Sequence, residues 1–351
     1  MMRLPHSRLV RTRRGEAQRS DGVLVPIKRG VALVLEGGEE ALATWDFERL
    51  IHGARILAVT AACRTRPAFT HESAMIVHGL TPWTSNPDVY LRTSVRYTPA
   101  RLPAVLVGTN GVPLARALQT RAPSPSGEIV EVEGVLVDSL EDTAILMAAS
   151  RPLFDALAAV SQILRRLSAF DRFDLEGSRA REAAVRADLL DRVAAVHERR
   201  AMHGLRTAEL VIRYASGACE TPGEIGVLTV LLSLFPDETI TQFEIVIAGR
   251  RYFADFALVR WRILIEFDGV VKMGDDEASF RRAQADLLAR QRALEDAGWT
   301  VVRAGWKDLR NPAALRAKLL ERIMRVQGAV ELPGETASAF LSLLLTAPRP
   351  R

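Results

Sequence analysis

Hydrophobic and polar positions keep the clearest rhythm in the last third of the chain. Thr221, Pro222 and Glu224 form a strong helix start. Thr221 is the N-cap, Pro222 takes the first helical position and Glu224 completes a capping box, which predicts a helix to about Leu234. Three strand-like runs follow, Thr239 to Ile247, Arg251 to Val259 and Trp261 to Phe267, with a turn at Gly249. A polar, helix-favouring stretch from Asp276 to Ala297 ends at Gly298, where a C-cap glycine is expected. Trp299 to Arg303 then alternates as a strand, and a last helix opens at Asn311-Pro312 and runs to about Val326. The predicted order is α-β-β-β-α-β-α.

The earlier part of the chain is less regular. Val23 to Leu35 reads as strand interrupted by Pro26 and Gly30, Trp45 to Ala62 as helix, and Glu141 to Arg166 as helix on both sides of Pro152, with helix again from Ala183 to Arg200. Composition shifts at the Pro/Ser-rich stretch Arg121 to Gly127 and near Gly204. These shifts predict a region of short strands and helices over 1-120, a helical middle domain over 121-204, a mixed domain over 205-330 and a tail over 331-351. The expected class is α/β, more closely α+β.

Composition narrows the function classes. With 351 residues, 48% hydrophobic and 25% charged, the chain can build two or three cores, which excludes disorder as its main state. The longest apolar run, Ile225 to Phe235, is about half of the roughly 20 residues that a membrane-crossing helix needs. The first thirty residues hold no apolar signal-peptide core, so the expectation is a cytoplasmic protein with no membrane partner. Cys63 and Cys219 lie far apart without companions at metal-ligand spacing, and each reads as a small buried hydrophobe. Lys and Arg number 47 against 42 Asp and Glu, a net +5, whereas Met1 to Gly30 alone carries eight basic residues against Glu16 and Asp21. Such an arm is either a solvated terminus or a contact for a nucleic-acid backbone.

Candidate chemistry lies in the strand pair. The period of two puts Glu266 and Asp268 on one face of the strand ending at Asp268, and Asp255 interrupts the otherwise apolar strand before it. In an aligned hairpin Asp255 and Glu266 meet, and two such carboxylates under packed helices require compensation. A divalent cation, Mg2+ or Mn2+, supplies it in phosphoryl-transfer proteins. The alternative is an acidic rim paired with Arg251, Arg260 or Arg262, and spacing alone does not separate the two.

The set Glu224, Asp255, Glu266-Phe267-Asp268-Gly269 and Lys272, then Arg290 and Gly298-Trp299-x-Val301-x-Arg303, resembles a bacterial family with the very-short-patch-repair (Vsr-like) endonuclease fold, within the PD-(D/E)XK nuclease superfamily. The likeness spans roughly residues 205 to 327. It implies a restriction-endonuclease-like αβββαβα core, DNA as partner and Mg2+-dependent endonuclease activity on phosphodiester bonds. It also implies roles for single residues. Asp255 and Glu266 would bind the metal, with Glu224 reaching it through water or serving only the capping box. Asp268 stands where the superfamily usually has its catalytic lysine, and Lys272 is the natural substitute. Arg290 and Arg303 would contact nucleic acid. Relatives tend to carry a Glu-Lys and an Arg-Glu pair on the following helix, where this chain has Leu287-Leu288 and Arg290-Gln291. A non-catalytic DNA-binding regulator built on the same fold is the other reading.

Thr70 to Leu80 (THESAMIVHGL) is similar to a segment of AbiEi-type antitoxins of type IV toxin-antitoxin systems, and Val137 to Ala148 resembles their following helix. That likeness implies an AbiEi-like region over 1-120 and a toxin or other protein partner. Of a preceding winged helix only the wing-like end, Val23 to Leu35, is expected, so the winged helix is truncated. His71 and His78, seven residues apart, are read as packing and capping residues with no catalytic role.

Overall fold

The computed structural model describes residues 4–12, 18–19, 22–35, 42–121, 123–199, 202–269, 277–328 and 334–346. Two compact units divide the chain, one of residues 1–151 and 187–212, the other of 152–186 and 213–351. The class is mixed α+β. Among the described residues no helix is long and apolar enough to cross a membrane.

The first unit opens with β1 (Leu9–Arg11), β2 (Gln18–Arg19), β3 (Gly22–Lys28) and β4 (Val31–Leu35), which form a sheet in the order β1-β4-β3-β2. The expected Val23–Leu35 segment is the β3–β4 hairpin, turning at Gly30 with a φ of +78°. After α1 (Thr44–Ala62) come β5 (Ala68–Phe69), α2 (His71–Val77), β6 (Val89–Arg92), β7 (Ala100–Leu102), β8 (Val105–Val107), β9 (Asn110–Val112), β10 (Ala115–Gln119), β11 (Ile129–Val132), β12 (Val135–Asp138) and α3 (Leu140–Ser150). Most of these strands join one sheet in the order β11-β12-β5-β6-β10-β7, while β8 and β9 pair with each other. The helix α1 lies between two cores: Phe47, Leu50, Ile51, Ala54 and Ala58 pack with β3 and β4, and Ile56, Leu57 and Val59 pack with the larger sheet. A helix buried on both sides needs apolar residues all round. The exceptions are His52, whose Nε2 lies 2.9 Å from the Ser85 carbonyl, and Arg55, which is fully buried and donates to Asn86 Oδ1 and to the carbonyls of Pro103 and Pro113.

The second unit is built around α7 (Pro222–Leu232) and includes α4 (Leu153–Ser168); α5 (Leu175–Glu198) is divided between the units and α6 (Leu205–Tyr214) belongs mostly to the first. Thr221 caps α7 as expected, its hydroxyl accepting from the Glu224 N–H at 3.2 Å. Every residue from Gly223 to Leu232 is buried, so the longest apolar run of the sequence is a central helix. It touches α4, β15 (Ile263–Asp268), α9 (Trp306–Leu309), α10 (Pro312–Gln327) and α11 (Glu335–Thr346). The sheet order is β13 (Thr239–Ile247), β14 (Arg250–Leu258), β15, β16 (Thr300–Gly305), with β15 and β16 parallel and the other pairs antiparallel. The helix α8 (Glu277–Asp296) connects the parallel pair and places Leu294 against Ile245, Ala257 and Leu264.

Three expectations differ from this arrangement. Trp261 is not on a strand: Val259–Trp261 forms a 3-10 turn, Arg262 takes a left-handed φ of +53°, and β15 begins at Ile263. The stretch 121-204 is not one helical domain. Its hairpin β11–β12 forms an edge of the first unit's larger sheet, and its helices are shared between the units. Within the expected tail, α11 buries Ala337, Phe340 and Leu344, and the Phe340 ring meets Tyr214 edge-on at 5.5 Å.

Candidate functional site

Asp255 stands where two strand ladders fail. On one side the β13–β14 register runs from Thr241↔Phe256 to Phe243↔Ala254 and skips the step between them, where Gln242 has a left-handed φ of +44°. On the other side the β14–β15 ladder covers only Phe256↔Ile265, Ala257↔Leu264 and Leu258↔Ile263. Beyond Phe256 and Ile265 the two strands part. The Asp255 carboxylate bridges the opening, its Oδ2 accepting from the Phe267 N–H at 2.7 Å. Among the described residues, Oδ1 has no hydrogen-bond partner. Burial pushes the Asp255 carboxyl up to about 6; the Phe267 N–H pulls it down, and the Glu224 charge raises it further.

Glu266, one step beyond the last β14–β15 pair, is 7% exposed. Its Oε1 lies 2.6 Å from Arg290 Nη2 and its Oε2 lies 3.4 Å from Arg303 Nη2. Arg290, on α8, also donates to the Phe253 carbonyl. Arg303 is set beside Glu266 by the parallel register Glu266↔Arg303, and its Nη1 reaches Asp268 at 2.9 Å. Burial still raises the Glu266 carboxyl, opposed by the two guanidinium groups and reinforced by Asp255 and Asp268. The arginines considered from spacing have other partners: Arg251 pairs with Glu244, Arg260 with Glu238, and Arg262 with the Ala297 carbonyl. Compensation comes instead from α8 and β16, 24 and 37 residues after Glu266.

Glu224 uses both oxygens on its helix cap, accepting from the Thr221 hydroxyl at 2.9 Å and from the Glu220 N–H at 2.7 Å. Burial raises its carboxyl against these bonds, and its charge is felt at Asp255. The buried Cys219 thiol lies in the same field, pushed well above its ordinary range by burial and then by Glu224 and Asp255. Gly223 has a packing reason: a Cβ there would fall 2.0 Å from the Phe267 ring, so a side chain would displace the residue whose N–H holds Asp255.

The structure thus brings Asp255, Glu266, Asp268, Arg290 and Arg303 together and keeps Glu224 behind them in the cap. Lys272 lies outside the described residues. Gln291 donates to Glu295 on the surface of α8 at 2.9 Å. Among the described residues no group of three or more His, Cys, Asp or Glu side chains is gathered closely enough to hold a metal ion. The donors nonetheless suit a hard divalent cation: among the described residues one Asp255 oxygen takes no hydrogen bond, and the Asp255 charge is felt at Glu266.

The histidine-bearing segment of the first unit is a structural knot. His71 starts α2 with a φ of +54°, its Nδ1 lies 3.0 Å from the Thr70 hydroxyl, and burial lowers its ring to about 3. Glu72 binds Arg151, whose guanidinium stacks on Tyr90 at 4.6 Å, while the Tyr90 N–H donates to Ser73. His78 Nε2 lies 2.8 Å from the Asp138 carbonyl, and Asp138 pairs with Arg92. These contacts tie α2 to the sheet and to α3. The chain matches no protein-family model, no curated protein and no solved structure.

Proposed function

We propose that the second unit is a restriction-endonuclease-like domain of the Vsr-like, PD-(D/E)XK type, and that the protein is a Mg2+- or Mn2+-dependent endonuclease acting on DNA. The observation that carries this reading is that Asp255 and Glu266 both stand where β14 and β15 separate, with the Asp255 charge felt at Glu266. The element order from α7 to α10 supports it, being the order such a core requires once the short α9 is set aside.

Asp255 and Glu266 would hold the cation, which when bound would polarise a phosphoryl oxygen and acidify a water molecule. Arg290 and Arg303 fix the Glu266 carboxylate and place positive charge beside it for a phosphate. The test is incubation of the purified chain with supercoiled plasmid and magnesium. Nicking is expected for the wild type and not for Asp255→Ala or Glu266→Ala. Nicking that persists in both variants would sink the assignment.

A second reading, a non-catalytic DNA-binding regulator or antitoxin-like protein on a relic of this fold, is favoured by one observation. Both Glu266 oxygens already face guanidinium groups, so the protein itself offsets part of this acid's burial. DNA binding that falls steeply with salt, in EDTA, and is unchanged in Asp255→Ala would favour it over the enzyme. The AbiEi-like resemblance of the first unit and a toxin partner belong to the same reading.

A further inference from the structure

Phe173 is a large apolar ring held outward by a well-bonded turn. Its side chain is 64% exposed. The turn between α4 and α5 is fixed by the Phe173 N–H donating to Asp171 Oδ1 at 2.9 Å and by the Asp171 N–H donating to the Ser178 hydroxyl at 2.8 Å. Arg181 adds bonds to the Ser168 carbonyl and to Asp174. A phenyl ring left this exposed forgoes much of the stabilisation that burial would give it. Its contacts are Phe253, edge-on at 6.3 Å and 85°, and the Arg172 guanidinium at 4.9 Å from the ring centre.

The ring's neighbour leads to the acids. Phe253 is two residues before Asp255 on β14, the spacing that puts both on one face of a strand. The Phe253 carbonyl accepts from Arg290, which also holds Glu266. Arg251 lies 5.3 Å from the Phe253 ring centre, so guanidinium groups flank both aromatics. Arg172 reaches Glu220 only at 3.7 Å, and such a loose surface pair exchanges readily for phosphate, whereas Arg251 is held by both oxygens of Glu244.

Resting on the reading that this site engages nucleic acid, we infer that Phe173, backed by Phe253 and Arg172, is a stacking platform for an unpaired nucleobase. The strand at the acids is therefore single-stranded or locally unpaired. An exposed aromatic face beside guanidinium groups suits a base with its phosphate, because every base has a π-face and every linkage a negative charge. A paired base keeps its faces inside the duplex.

Fluorescence anisotropy in EDTA tests this with labelled oligothymidine, an abasic oligomer of equal length and a duplex of equal length. The wild type is expected to prefer oligothymidine over the abasic oligomer. Phe173→Ala should weaken oligothymidine binding about tenfold and leave the abasic oligomer unchanged, while Phe173→Trp should keep the preference. Because the ring is exposed, the thermal midpoint of Phe173→Ala should stay near that of the wild type. Equal affinity of wild type and Phe173→Ala for oligothymidine overturns the inference, as does a wild type with no preference over the abasic oligomer, or duplex binding with the same dependence on Phe173. The nuclease reading stands or falls separately, on magnesium-dependent nicking and its loss in Asp255→Ala.

Discussion

Asp255→Asn should make the protein more stable at neutral pH, and the gain should vanish in acid. Asparagine keeps an oxygen for the Phe267 N–H and nearly the same shape, so the variant removes the charge and little else. In the folded chain burial lifts the carboxyl from its ordinary 3.8 to about 6, so between those values the native state holds a proton that the unfolded state has released. Unfolding then releases protons, and wild-type stability falls as pH rises through that window. At about 1.4 kcal/mol per pH unit, the full cost above pH 6 is about 3 kcal/mol. Urea unfolding followed by tryptophan emission, repeated from pH 4 to pH 8, should show the variant and wild type converging near pH 4. The variant should lead by about 2–3 kcal/mol at pH 7.5. Magnesium at pH 7.5 should narrow the gap by stabilising the wild type alone, as a ligand of the native state does. A difference that is flat with pH, or a variant less stable at pH 7.5, would refute the placement of a costly charge at this position.

Two further substitutions test the surroundings. Gly223→Ala should destabilise by about 1–3 kcal/mol, read as a lower thermal midpoint, because its methyl must push aside the Phe267 ring that a Cβ would approach to 2.0 Å. Arg55→Leu should cost about 2–4 kcal/mol in urea unfolding, since it leaves the Pro103 and Pro113 carbonyls and Asn86 without their buried donor.

Elements marked by local chemistry were legible in the sequence. The Thr221-Pro222-Glu224 start gives α7, β13 keeps its expected bounds, and Asn311 caps α10 with its side chain accepting from the Ala314 N–H. Alternation ran two residues too far back at Trp261 because a turn made of apolar residues looks like strand. The first unit was obscure for a different reason. Its larger sheet uses strands as short as Ala68–Phe69 in an order that departs from the sequence, so few residues carry a period and pairing is decided by tertiary contacts. The β11–β12 hairpin falls in the stretch expected to be helical, because four-residue strands such as Ile129–Val132 and Val135–Asp138 are too short to show a period of two. At the candidate site the acids stood out as charges in apolar strands, whereas their compensation did not. Arg290 and Arg303 become partners only through helix packing and the parallel register of β15 with β16.

The local structure at Asp255 asks for a hydrogen-bond acceptor and not for a charge. Where the ladders break, the Phe267 N–H lacks a strand partner, and the 255 side chain supplies one. A neutral amide would do this without the desolvation cost that lifts the carboxyl to about 6. Glu266 differs, because two guanidinium groups oppose the burial that raises its carboxyl, and such a set can serve structure alone. Of the two acids, then, Asp255 bears the stronger sign of function. Its charge costs the folded state, and among the described residues one of its oxygens takes no hydrogen bond, at a gap between strands where its charge is felt at Glu266. That asymmetry favours a site that gains something charged from outside over a buried ion-pair network complete in itself, and it makes residue 255 the more informative of the two to neutralise.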